Sequence, residues 1–233
     1  MFFSNLRVGF FLALRQLKRS SPWTTLLIIC VMILTFLNLV VLSGILVGLI
    51  EGAVGAVREH YTSDVFIITP REKQFIENSS RVKQTAQSFP EVASISARYT
   101  TSGLVEANYK TRTRETDEPE EVPVTFAGIN PTEEDRTTGL SSLLVEGEYL
   151  EEDDFDQVVI GALLLRKYLD FESELFVTLQ DVEVGSKIRV KIGSIVREVT
   201  VKGIVKSKVD EIDRRVFFTE KQLGTLIGRD DFN

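Results

Sequence analysis

Hydrophobic and polar positions divide this chain into three unlike stretches. Over residues 5–19 (NLRVGFFLALRQLKR), Leu6, Phe10, Leu14 and Leu17 recur at spacings of four, four and three, while Arg7, Arg15, Lys18 and Arg19 fill the other turns. That spacing predicts an amphipathic helix with one apolar and one basic face. Residues 20–50 then form 31 consecutive uncharged positions, mostly Leu, Ile, Val, Phe and small residues. A bilayer needs only about 20, so the run predicts a membrane-spanning helix. Ser20, Ser21 and Pro22 break the first helix, and Trp23 suits a membrane boundary. Residues 23–50 would measure about 42 Å as a helix, against a hydrocarbon layer of about 30 Å, so the helix must tilt or protrude. No terminator precedes Thr62, and the helix is expected to continue outward as a short stalk.

Beyond the stalk the period shortens and strands predominate. Residues 64–69 (DVFIIT) read as a buried strand closed by Pro70, and residues 81–88 as a polar helix that Ser79 or Ser80 caps. Residues 92–99 and 103–109 are expected to pair as strands, followed by a strand over 122–129 (VPVTFAGI). The charged stretch 110–121 between them reads as a loop. An acidic turn after Pro131 leads to an apolar stretch at 142–150. A strand at 157–161 runs through Gly161 into a helix over 162–169. Further strands are expected at 175–179, 187–192, 195–205 and 215–219, with turns at Gly185 and Gly193 and a closing helix over 220–227. The fold class is therefore α+β: one N-terminal transmembrane helix and a mixed α+β outer domain. The expected boundaries are 1–22 for the cytoplasmic amphipathic helix, 23–61 for the transmembrane helix and stalk, and 62–233 for the outer core domain.

Charge sets the orientation. The first 50 residues carry +4 within a whole-chain charge of −7, which leaves −11 on residues 51–233. The positive-inside rule then places the N-terminus in the cytoplasm and the acidic domain outside. A cleaved signal peptide is the competing reading, with Gly52, Ala53 and Gly55 as its small residues, but its apolar core would run only about 7 to 15 residues. The acidic domain argues against nucleic acid as a partner, because duplex binding neutralises phosphates with Lys and Arg. Cys30, the only cysteine, lies in the apolar run and forms no intramolecular disulfide. Gly44, Gly48, Gly52 and Ala56 recur every four residues, a stripe that lets a second helix approach closely.

Candidate chemistry is sparse. His60, the single histidine, has no visible partner and reads as a surface residue. The run Glu148, Glu151, Glu152, Asp153, Asp154, Asp156 lacks the spacing of a calcium loop and reads as a solvated turn. Asp210, Glu211 and Asp213 read as an ordinary acidic loop. There is no phosphate-cradling glycine motif, so any nucleotide would be bound by another subunit.

Four features in order carry a resemblance: the leader LRVGFFLALRQLKRSSP, the long first helix, FPEVASISARY, and EGEYLEEDDFDQVVIGALLLRKYL followed by VEVGSKIRV. Together they resemble the MacB and FtsX type of ABC transporter permease, which includes the lipoprotein-releasing LolC and LolE subunits. The resemblance implies a bacterial inner-membrane protein that dimerises with a second permease copy or a homologous permease. A partner ABC ATPase would bind the ATP, and this chain no cofactor. It also implies a MacB-like periplasmic core with a porter-like subdomain and a second β-rich one, moved by ATP hydrolysis for efflux or for lipoprotein or substrate export. A periplasmic adaptor is a further partner it admits. Leu6, Phe10, Leu14 and Leu17 would then form the ATPase-coupling helix, and Gly44, Gly48 and Gly52 would pack against other membrane helices. The family pattern has four membrane helices, three after the outer domain, whereas residues 1–233 hold one apolar span. The chain is therefore expected to be either part of a larger or split permease, or a working single-pass form. The alternative function is a single-pass anchored extracytoplasmic binding or scaffold protein with no ATPase.

Overall fold

The computed structural model describes residues 8–12, 15–16, 21–110, 119–169 and 177–233. They fall into two compact units, Met1–Gly52 and Ala53–Asn233. The apolar run forms one helix, α1 (Pro22–Val57), of 36 residues or about 54 Å. Pro22 sits in its first turn, where a missing N–H sacrifices no helical bond, and the Ser21 carbonyl accepts from the N–H groups of Thr24 and Thr25. No residue of α1 is buried, and the helix is long and apolar enough to cross a membrane. A wider π-turn, Arg58–Thr62, continues it as the predicted stalk, and Ser63 ends the turn at a φ of 55°.

The rest of the second unit is built on β1 (Arg98–Glu106), β2 (Glu121–Ile129), β3 (Leu144–Gly147), β4 (Gln157–Gly161), β5 (Lys187–Ile192), β6 (Ile195–Val205) and β7 (Arg215–Thr219). Six of them close a barrel in the order β6-β4-β7-β2-β1-β5 and back to β6. The pairs β2–β7 and β4–β6 are parallel, and the other ladders antiparallel. Long β6 closes the circle: Thr200 faces both Gln157 of β4 and Lys187 of β5, while Gly203 faces both Val159 and Gly147. Strand β3 therefore shares an edge of β6 with β5, one beyond the other.

Alternation sorts the core into two layers. Val122, Val124 and Phe126 of β2 join Val158 and Ile160 of β4, Ile188 and Val190 of β5, and Val216 and Phe218 of β7 in the larger cluster. Their neighbours Ala127, Ile129, Val159 and Phe217 point the other way, into a second cluster with Leu140, Leu150, Val209 and Ile212. Strand β6 changes parity midway: Val199 and Val201 belong to the first cluster, then Ile204 joins the first and Val205 the second. The cause is a bulge, since Val158 pairs with Val201 but Val159 pairs with Gly203.

The helices are α2 (Ser79–Gln87), α3 (Pro131–Thr138), the short α4 (Asp210–Asp213) and α5 (Glu220–Ile227). The strands predicted at 157–161, 187–192, 195–205 and 215–219 and the helix at 220–227 coincide with β4, β5, β6, β7 and α5. Other expectations need correction. Residues 64–69 form no strand, and Val65, Phe66, Ile67 and Ile68 are exposed, because no ladder receives them. Residues 92–97 form no strand and join no ladder. One strand, β1, replaces the two expected to pair, and Gly103 lies inside it, where a Cβ would collide with the Lys191 carbonyl of β5. The predicted helix 162–169 is two 3-10 turns, Ala162–Leu164 and Arg166–Tyr168, parted by buried Leu165, whose extended backbone bridges Leu179. The acidic turn after Pro131 is the helix α3. Most of the loop expected at 110–121 and the start of the strand at 175–179 lie outside the described residues.

Candidate functional site

The stalk meets the barrel domain at a buried polar knot. Helix α3 builds one side. Asn130 caps it by accepting the Glu133 N–H at 3.1 Å, Pro131 opens it, and Gly139 closes it at a φ of 62°. Its buried face carries Glu134 and Thr138, one helical turn apart. Glu134 receives both Nη2 and Nε of Arg98, at 2.5 and 3.0 Å, together with the hydroxyls of Ser96 at 2.7 Å and Thr138 at 2.8 Å. Its side chain is 1% exposed and that of Arg98 12%. Burial alone would raise the Glu134 carboxyl, but the Arg98 charge and the bonds from Arg98, Ser96 and Thr138 outweigh it and hold the carboxyl below its ordinary range.

Tyr61, in the π-turn, is the stalk's anchor. Arg98 Nη2 donates to its carbonyl at 3.2 Å and Arg215 Nη2 to its hydroxyl at 2.7 Å. The two guanidinium carbons lie 5.6 and 4.8 Å from the ring centroid, distances at which a cation is drawn to a π face. Burial pushes the Arg215 guanidinium down from its ordinary value, although the Tyr61 hydroxyl works the other way. His60, expected at the surface, is part-buried, and its Nδ1 donates to the Thr138 carbonyl at 3.1 Å. Ala56, Val57 and Tyr61 pack on the second core cluster. The stalk end is thus held by one apolar patch, the His60 bond and two arginines, one of them fixed by the buried ion pair with Glu134.

Beside the knot a cleft of about 710 Å³ is lined by segments 64–69 and 92–97, with α2 along its side and Tyr61, Arg98 and Arg215 among its lining residues. The hydroxyl predicted to cap α2 serves otherwise: Asn78 precedes the helix, and Ser79 gives both its N–H and its Oγ–H to the Asp231 carboxylate, at 2.9 and 2.8 Å. A carboxylate there complements the helix N-terminus. Those two bonds hold the Asp231 carboxyl below its ordinary range.

The residues singled out in the sequence lie elsewhere. Phe10 is helical and exposed, while Leu6, Leu14 and Leu17 lie outside the described residues. Gly44, Gly48 and Gly52 lie along α1 with open space where a Cβ would stand, and the stripe ends at Ala56, which packs on the barrel. The acidic run disperses onto separate partners: Asp153 on Lys221, Asp154 on Lys202, Asp156 on Arg197, Glu152 on the Thr132 hydroxyl. Asp213 is buried, which raises its carboxyl despite bonds from Ser207. Among the described residues, no cluster of three metal-ligating side chains occurs. Tyr61, Arg98, Glu134 and Arg215 escaped the sequence reading because their partners are 36 to 154 residues apart. The one visible signal was Arg98 itself, a charge closing the apolar run VASISA.

No protein-family model matches the chain, and no curated protein matches it.

Proposed function

We propose that this chain is the membrane subunit of an ABC transporter of the MacB and FtsX type, in which ATP hydrolysis on a partner ATPase moves the extracytoplasmic domain. The observation that carries the reading is the stalk. A 36-residue apolar helix with no buried residue passes directly into a turn that the barrel domain grips through Tyr61, Arg98, Glu134 and Arg215. A lipid anchor alone has no need of such a grip, whereas a helix that transmits displacement does. In this reading the N-terminus is cytoplasmic, α1 crosses the bacterial inner membrane, and residues 62–233 form the MacB-like periplasmic core, including a porter-like part. Phe10 and its neighbours at positions 6, 14 and 17 couple to the ATPase, Gly44, Gly48 and Gly52 receive a neighbouring helix, and a second permease copy completes the assembly. The cargo belongs to efflux or lipoprotein-type export.

Two measurements test this. Protease added to intact spheroplasts is expected to digest the chain beyond Tyr61 and to spare the leader. Affinity purification from detergent-solubilised membranes is expected to retain an ATPase that Gly48→Leu weakens. An ATPase-free preparation, or helix association indifferent to Gly48→Leu, would overturn the reading. The open apolar cleft favours a second reading, an anchored binding or scaffold protein, which predicts a retained extracytoplasmic partner and no ATPase.

A further inference from the structure

The cleft beside the stalk has walls of unusual chemistry. Residues 65–69 and 93–96 lie in no helix or strand, and among the described residues no backbone hydrogen bond reaches either. Exposed Val65, Phe66, Ile67 and Ile68 lie on one wall, and the Thr69 Oγ1 is buried without a hydrogen-bond partner. A row of backbone N–H and C=O groups with no partner in the chain is a template for another strand.

Another piece of chain, Phe232 and Asn233, lines one end of the cleft. Phe232 accepts the Ile76 N–H at 2.8 Å, Asn233 donates its N–H to the Arg98 carbonyl at 3.2 Å, and the Asn233 side-chain amide pairs with both backbone groups of Thr100 at 2.6 and 2.8 Å. At that end the cleft wall already takes main-chain hydrogen bonds from a bound segment. Its charge is inverted relative to the domain: Lys73, Lys83, Arg98 and Arg215 line it against Asp64 and Glu91, although residues 51–233 sum to −11. Lys73, Lys83 and Arg98 have carboxylate partners. Arg215 bonds the Tyr61 hydroxyl and lies over the Tyr61 ring, and it shares the charge of Glu134 with Arg98.

We propose that this cleft is a strand-acceptor site, which takes in trans an extended segment of a partner protein with apolar residues at alternate positions and a carboxylate for Arg215. The segment adds main-chain bonds to the 93–96 and 65–69 edges, while its alternate side chains meet Phe66 and Ile68. This inference is independent of the transporter reading, because its test involves no ATPase and no membrane crossing.

The test is hydrogen exchange on the full chain in detergent micelles, with acetyl-Val-Thr-Val-Glu-Val-Thr-amide as the probe. Amides at 65–69 and 93–96 are expected to exchange freely in the chain alone and at least tenfold more slowly with saturating peptide. The same peptide N-methylated at alternate backbone nitrogens is expected to give no protection, and the peptide with Lys in place of Glu to bind at least threefold more weakly. Ser94→Pro, which removes one wall N–H, is expected to lose protection while the barrel amides exchange as before. Four results would each overturn the proposal: slow exchange of both segments without peptide; protection that grows with chain concentration, the mark of a second copy; equal protection by the N-methylated peptide, the mark of a merely greasy patch; or no protection at millimolar peptide.

Discussion

Glu134→Gln isolates the electrostatic part of the stalk grip. The glutamine keeps the size of the side chain and one carbonyl acceptor, but it leaves the Arg98 guanidinium, 12% exposed, facing no negative charge. Breaking a buried pair from one side costs about 3–5 kcal/mol. The lower end applies here, because the Tyr61 carbonyl still accepts from Arg98 at 3.2 Å and the adjoining cleft admits water. A loss of about 3 kcal/mol would lower the melting temperature by roughly 6–12 °C for a domain of this size. The pH dependence supplies an independent check. Because the folded carboxyl sits below its ordinary value, its contribution is complete above the unfolded value of about 4.3 and fades as pH falls through the folded value. Guanidinium unfolding of the full chain in micelles, followed by tyrosine near-ultraviolet circular dichroism, reads both quantities. Glu134→Gln should shift the midpoint without changing the slope at neutral pH, and it should flatten the stability curve below about pH 4.3. A loss under about 1 kcal/mol, the range of a surface pair, or an acid limb identical to that of the parent chain, would refute the grip.

Three further expectations use the same chain. Tyr61→Leu should destabilise the domain by about 1 kcal/mol more than Tyr61→Phe, since only the former removes the ring set between Arg98 and Arg215; equal losses would show that the ring contacts are idle. Gly161→Ala should cost about 1–3 kcal/mol by overpacking, because a Cβ there collides with the Asp213 backbone while the Gly161 φ of −76° suits any residue; an unchanged unfolding midpoint would contradict that contact. Asp231→Ala should speed amide exchange across Ser79–Gln87 at neutral pH. As pH falls through the lowered Asp231 value the variant and the parent should converge, since the contribution of that carboxylate disappears there.

Where the sequence was legible, a local rule decided the structure. The 36-residue helix follows from the absence of charge between Arg19 and Glu51. The alternation of Ile188, Val190 and Ile192 marks β5 because those side chains face one core, and Gly193 sits at the turn to β6 with a φ of 57°. Where it was illegible, a distant partner decided. The DVFIIT segment has every local property of a buried strand, but strand formation needs a neighbouring edge, and none of the described strands pairs with it. The expected helix over 162–169 lost to Leu165, whose burial and bridge to Leu179 force an extended residue into a helix-prone run. Glu134 could not be told from Glu133 and Asp135 in PTEEDR; only the α3 face that meets Arg98 separates them. Most of the described strands were visible one by one, while the closure of six of them rests on β6 pairing with both β4 and β5, which no pattern along a single segment encodes.

The knot and the cleft have three residues in common, Tyr61, Arg98 and Arg215, and that sharing ties the two proposals together physically. Arg98 is bonded to Glu134 and also binds the stalk carbonyl, while Arg215 is bonded to the Tyr61 hydroxyl, lies over its ring and meets the Glu134 charge only through space. A displacement of the stalk that removes Tyr61 would therefore leave Arg98 bonded to Glu134 but strip Arg215 of its hydrogen-bond partner at the cleft. An acidic strand in the cleft would compete with Tyr61 for the same guanidinium, so strand binding and stalk docking oppose each other through Arg215. Linkage makes this opposition reciprocal. Tyr61→Phe, which releases the Arg215 donor but keeps the ring, should tighten binding of the Glu-containing peptide and leave the Lys-containing one unchanged. Equal affinities of the parent chain and Tyr61→Phe for the acidic peptide would show that the two sites, although adjacent, do not communicate.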